Sequence, residues 1–156
     1  MKFTAMAVTI GIALAAGFGA GPAQAQDAMT YIHQRQALMK RQGKDLTAIK
    51  AYLGGRLDQA HAQAAAADLL TTLPKIPSLF PQKTSLAEYP GKTRAKPDIW
   101  TEWNEFNAAM QNADAKAKVL DAAMKSGNKA AIQTAFADLG KNGCNGCHKT
   151  FRAPKK

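Results

Sequence analysis

Eight apolar residues between Ile99 and Met124 settle the fold class. Ile99, Trp103, Phe106, Met110, Ala113, Ala117, Leu120 and Met124 follow one another at alternating spacings of four and three. A repeat of about 3.6 residues sustained over that length lays one apolar stripe along a helix, and the stripe has to be covered by something else. Nowhere in the chain does an apolar–polar alternation run long enough to make a strand. The cover must therefore come from other helices, and the chain reads as all-α.

Three further helices supply it. The first is expected over about 27–53, where Ile32, Met39, Leu46 and Leu53 recur every seven residues with Ile49 on the same stripe, and Arg35 and Gln42 take the remaining inward-leaning positions. It stops at Gly54-Gly55. The second, about 56–73, is rich in alanine, including Ala64 to Ala67, and ends at Pro74. Five prolines (Pro74, Pro77, Pro81, Pro90 and Pro97) exclude a continuous helix over 74–97, so an ordered loop crosses the domain there, pinned by Leu79, Phe80 and Tyr89. The third helix starts near Asp98 as N-cap, and the fourth follows Ser126-Gly127 with Asn128 as N-cap and Ile132, Phe136 and Leu139 facing inward. Short first and third connections make this an antiparallel up-down-up-down four-helix bundle with a long Pro-rich loop between helices 2 and 3.

The N-terminus has a different character. Lys2, an Ala-rich apolar run over 3–18 and the small-residue site Ala23-Gln24-Ala25 match a secretory signal peptide, residues 1–25, cleaved on export to leave a single domain over 26–156. A retained anchor is the alternative, but Gly11, Gly17, Gly19, Gly21 and Pro22 dilute the stretch, and its apolar part falls short of the roughly 20 residues a membrane span requires. Removing 25 of the 156 residues leaves 131, enough for one core. The formal charge drops from +10 to +9 with the loss of Lys2. A positive field favours acidic protein surfaces or anionic headgroups. With its cations scattered, the chain is not read as a nucleic-acid binder, and the densest group, Lys149, Arg152, Lys155 and Lys156, reads first as a solvated face and second as a docking patch.

The chemistry lies near the end of the chain, in Cys144-Asn145-Gly146-Cys147-His148. Two thiols at i and i+3 followed at once by an imidazole form the c-type haem attachment signature. On a helix the three side chains share a face, so Cys144 and Cys147 can bond the haem vinyl groups while His148 reaches the iron. A disulfide is an alternative, and so is zinc, although zinc usually takes four protein ligands and these are the only two cysteines. Periplasmic export and covalent haem c, one per chain, support each other, because the thiols are joined to haem outside the cytoplasm.

With a C-terminal haem helix in an exported four-helix chain, the sequence resembles the class II cytochromes c, the cytochrome c prime family, over its whole mature length. The likeness rests on Arg35-Gln36 with Met39, on Pro97-Asp98-Ile99-Trp100, and on the run from Cys144 to Arg152. It implies that Met39, four residues after Arg35, faces the distal side of the iron. In the low-spin subgroup a thioether at this place is the sixth ligand, whereas a hydrocarbon leaves five-coordinate iron open to nitric oxide or carbon monoxide. The resemblance further implies that Arg35 lies near the haem propionates, as against a solvent-facing helix charge, and that Arg152 lies on the proximal side. Tyrosine is frequent in the family where Phe151 stands. Met29, Met110, Met124, Trp100 and Trp103 read as packing, and His33 and His61 as ordinary surface or satisfied histidines.

The leading expectation is a periplasmic electron carrier with His148/Met39 axial ligation and no enzymatic activity, meeting redox partners whose docking surfaces are acidic. The alternative is a five-coordinate, high-spin gas-binding protein. A haem-free thiol oxidoreductase is a third reading, disfavoured because reactive thiol pairs usually sit where a strand feeds a helix. Small residues at Gly54, Gly55 and Ala64 to Ala67 are compatible with a homodimer through helices 1 and 2, and no stable membrane insertion is expected after cleavage.

Overall fold

The computed structural model describes residues 22–155. The expected leader up to Gly21 lies outside the described residues, and the expected cleavage after Ala25 falls in the first turn of α1. Six α-helices follow in order: α1 (Pro22–Leu53), α2 (Gln59–Thr72), α3 (Asp98–Thr101), α4 (Trp103–Ser126), α5 (Lys129–Asp138) and α6 (Asn145–Phe151). There is no β-strand among the described residues. α1 packs on α2 and α5, and α4 packs on the same two, closing the four-helix bundle that the periodicity predicts.

The stripe of residues 99–124 runs along the core. Ile99, Phe106, Met110, Ala113, Ala117, Leu120 and Met124 are all buried, each large one contributing about 1.5–3 kcal/mol by leaving water. Ile32 and Ile49 of α1, Leu69 of α2 and Ile132 of α5 meet them from the other sides, and Arg35 and Gln42 are buried at the inward positions expected of them. At the first break Gly55 adopts φ +71°, a left-handed conformation that glycine takes at no steric cost, and the Arg56 N–H returns to the Ala51 carbonyl at 2.8 Å. Asn128 caps α5, accepting from the Ala130 and Ala131 N–H groups at 3.1 Å.

Three details depart from the sequence reading. α2 starts at Gln59, with Asp58 rather than Arg56 at its head, because the Asp58 carboxylate accepts from the His61 N–H at 2.9 Å. Asp98 is the first helical residue and not the N-cap; Pro97 precedes it with helical dihedrals. The third helix is also interrupted at Glu102, whose φ −115°, ψ 47° separates α3 from α4. The seam survives the break because Ile99 and Phe106 still point into one core.

The Pro-rich segment crosses the bundle as two short 3₁₀ turns, Leu73–Lys75 and Pro77–Leu79, followed by irregular chain. Trp100 Nε1 donates to the Phe80 and Pro81 carbonyls at 3.0 and 3.1 Å, and Phe80 packs on Phe106 with ring centroids 5.0 Å apart. Its far end is tied to the C-terminus by an antiparallel bridge between Ala95 and Arg152, in which the Lys96 N–H donates to the Phe151 carbonyl at 3.0 Å and the Ala153 N–H to the Arg94 carbonyl at 2.9 Å.

Candidate haem site

Between Asp138 and Asn145 the chain keeps turning in helical sense but widens into one π-helical segment, Leu139–Cys144. Gly140 and Gly143 lower the local preference for a regular α-helix, and π segments of this kind collect at functional sites. Gly143 is required for packing: a Cβ there would stand 3.0 Å from Leu139 Cδ1 and 3.4 Å from the Ala113 backbone of α4. The Asn142 carbonyl, displaced from the regular ladder, accepts from Asn112 Nδ2 of α4 at 2.9 Å. The segment carries Cys144, Cys147 and His148 onto one face directed into the bundle.

That face borders a cleft of about 930 Å³, near the upper end of the roughly 300–1,000 Å³ found for ligand sites. Cys144, Cys147, His148 and Arg152 line it from the C-terminal segment, and Arg35 and Met39 from α1. The six residues expected at the haem, Arg35, Met39, Cys144, Cys147, His148 and Arg152, thus all line one cavity. Phe106 forms part of its wall and meets Phe151 edge-on at 5.4 Å. Met110 also lines it, from a buried position. His33 is exposed, and His61 pairs with Asp58 at 2.8 Å on the surface; neither lines the cleft.

Arg35 is only 3 % exposed. Nη1 donates to Thr84 Oγ1 at 2.9 Å, Nη2 donates to the Thr84 carbonyl and to Thr93 Oγ1, and Cζ stands 4.6 Å from the centroid of the Phe80 ring. Burial pushes its guanidinium down to about 10, and among the described residues no carboxylate pairs with it. At that burial it is no solvent-facing helix charge, and it fastens the Pro-rich loop to α1. Thr84 and Thr93 are missed by sequence alone. Hydroxyls in a loop without periodicity look solvated, and only the inward position of Arg35 hinted that it needed partners.

The thiols are unbonded to each other. Burial raises both, Cys147 to about 11, with the neighbouring Cys144 adding to the rise. Burial lowers His148 to about 4, helped by Arg152 and Arg94, so its imidazole is neutral at pH 7 and keeps a lone pair for a metal. Among the described residues no three His, Cys, Asp or Glu side chains converge on a metal-sized site. A neutral imidazole, two protonated thiols, an aromatic wall and a buried cation without a counter-ion fit a planar, apolar, dianionic macrocycle such as haem.

Comparison with known proteins leads the same way. The family profile described as Cytochrome C' matches residues 30–152. A relative described as cytochrome c' from Pararhodospirillum photometricum is 36 % identical over 124 residues, 78 % of this chain and 95 % of the relative. A solved cytochrome c' with ligand-controlled dimer dissociation superposes with a TM-score of 0.75 at 27 % identity, over 81 % of this chain and 97 % of that one. The nitric oxide complex of a variant cytochrome c prime from Alcaligenes xylosoxidans gives a TM-score of 0.69 at 25 % identity, over 83 % and 96 %. These relatives overturn the expectation of an electron carrier with His148/Met39 ligation. The curated relatives are cytochromes c', and one solved neighbour is a nitric oxide complex, which matches the gas-binding alternative and not the electron carrier. Met39 is half-buried on an apolar helical stripe, where methionine serves as adaptable filler.

Proposed function

The chain belongs to the cytochrome c' family, and on that premise we propose that it is a periplasmic haem protein that binds nitric oxide or carbon monoxide at five-coordinate, high-spin iron. One covalently attached haem c is the cofactor of this family and of this chain. When bound it supplies the ferric/ferrous couple and the open coordination position for the gas.

The residues of the chain hold and shield it. Cys144, at the end of the π-helical segment, and Cys147 of α6 would anchor the macrocycle, and His148 of α6 would offer the iron a neutral nitrogen. Arg35 would offer a propionate the guanidinium hydrogens that the loop oxygens leave free, and Arg152 would stand near the haem on the side of His148. Met39, which lines the cleft from α1, would present the haem with an apolar wall rather than a ligand. Phe80, Phe106 and Phe151 keep water away from the buried edge.

The convergence of both thiols, the imidazole and the buried Arg35 on one cleft supports this reading best. Absorption and electron paramagnetic resonance spectra of the purified ferric protein test it. High-spin iron is expected, followed by carbon monoxide binding after reduction; low-spin ferric iron would reject it.

Export and cleavage after Ala25 belong to the same proposal, supported by Lys2, the apolar run over 3–18 and Ala23-Gln24-Ala25. So does a homodimer through α1 and α2, on the strength of the dimeric relative. Ala65 and Ala66 are buried in this chain's own core, which leaves Ala64 and Ala67 as the outward-facing members of that alanine run.

A further inference from the structure

Thr84 and Thr93 both hold Arg35, yet their hydroxyls end in different states. Thr84 Oγ1 accepts from Arg35 Nη1 at 2.9 Å and spends its own hydrogen on the Pro81 carbonyl at 2.8 Å. Thr93 Oγ1 instead accepts twice, from Arg35 Nη2 at 2.9 Å and from the Ala95 N–H at 3.2 Å, and these two bonds take up both of its lone pairs. Its hydrogen remains to be donated, and among the described residues it has no acceptor.

The surroundings of the two threonines differ as well. Thr93 is 8 % exposed and lines the main cleft; Thr84, buried more deeply, does not line it. Buried polar hydrogens are almost always paired, so a spare donor in the wall of a cavity calls for an acceptor inside the cavity. Arg35 makes the same demand. Three of its five N–H hydrogens go to Thr84 and Thr93, and among the described residues no carboxylate pairs with it. The wall thus carries a cation and a neutral donor, joined to each other and both short of a negative oxygen.

We infer that Thr93 is a haem-binding residue, its hydroxyl donating to one carboxylate of the macrocycle beside the guanidinium hydrogens that Arg35 has left. The inference deepens the haem reading above and rests on it. Two donors already fix the Thr93 oxygen, so its hydrogen is oriented in advance. Lys92 and Arg94 line the same cleft, but their long side chains must give up rotamer freedom to reach a carboxylate. Thr93 belongs to the Pro-rich loop and Arg35 to α1, and the carboxylate would tie the two together from inside the cleft.

Resonance Raman spectra of the haem-loaded protein test the assignment through the propionate bending band, which drops in frequency when the carboxylate loses a hydrogen bond. Thr93→Val keeps the branched shape and removes the donor. Thr93→Ala is a second deletion should the valine variant fail to fold, and Thr93→Ser retains the hydroxyl. Thr84→Val is the structural control, because it also deprives Arg35 of a hydroxyl acceptor but lies outside the cleft wall. The band should drop in Thr93→Val and Thr93→Ala, return in Thr93→Ser and hold its place in Thr84→Val, while the urea midpoint falls in both valine variants. A wild-type band in the two Thr93 deletions would overturn the inference. So would an equal drop in Thr84→Val, for Thr93 would then act only by holding Arg35. Protein purified without haem absorbance refutes the haem reading itself, whereas haem-loaded Thr93→Val with an unmoved band refutes the Thr93 assignment alone.

Discussion

Arg35 carries a charge into a place where no carboxylate among the described residues answers it, and three loop oxygens hold it there. Hydrogen bonds from a charged donor contribute about 1.5–3 kcal/mol each. Arg35→Met keeps the stem and removes the donors, so urea unfolding of the haem-loaded protein should show a loss of about 3 kcal/mol or more, together with faster protease cleavage in the loop over 81–96. Met39→Leu is expected to do much less. The ferric spectrum should stay high-spin and carbon monoxide should still bind, which repeating the spectra on the variant checks. The inward position of Arg35 could be read from its place between Ile32 and Met39. The partners of Arg35 could not, because Thr84 and Thr93 lie in a segment whose prolines erase any periodicity. Met39 illustrates a different limit: its position on the stripe was legible, but whether the sulfur binds iron depends on fractions of an ångström that spacing does not encode.

Among the elements, the haem helix gained most from being seen. Gly140, Gly143 and Gly146 lower the intrinsic helicity of the segment, but its π-helical turn also brings Gly143 close to Ala113, a contact across helices that spacing does not show. Gly143→Ala should cost about 1–3 kcal/mol through overpacking, while Gly140→Ala, with nothing within 4 Å of its added Cβ, should be tolerated; thermal melts of the two haem-loaded variants compare them. The α1–α2 seam holds a second unforeseen arrangement. Asp45 is raised to about 6, first by burial and then by the neighbouring Asp68, and among the described residues its buried Oδ2 has no hydrogen-bond partner. Asp68 is shifted the other way, chiefly by Arg41. For Asp45 the folded state holds its proton more tightly than the unfolded chain does, so the stability it contributes is present below about pH 4 and is lost as pH rises to about 6. Asp68 acts in a lower window, losing its contribution as pH falls below its ordinary value. Asp45→Asn should therefore flatten the melting temperature between pH 4 and 6 and raise it at pH 7, as a pH series of melts would reveal.

At the scale of the whole molecule the bundle itself was readable, because a helical repeat without competing strand patterns admits few architectures. What remained hidden was how distant segments are joined. A pair of charges placed on α2, Ala64→Glu with Ala67→Glu, should shift sedimentation of the protein toward monomer while leaving the haem spectrum intact. The antiparallel bridge at Ala95 and Arg152 bears on how the molecule is made. Exported N-terminus first, as proposed above, the chain delivers α1, α2, the crossing loop and α4 ahead of the cysteines, so three walls of the cleft can assemble before the thiols arrive. The last side is the short segment from Cys144 onward, whose backbone latches onto residues 94–96. Joining the porphyrin and closing the fold thus become a single late event, and a chain cut just before Arg152 should yield a vessel that admits its cargo but never seals.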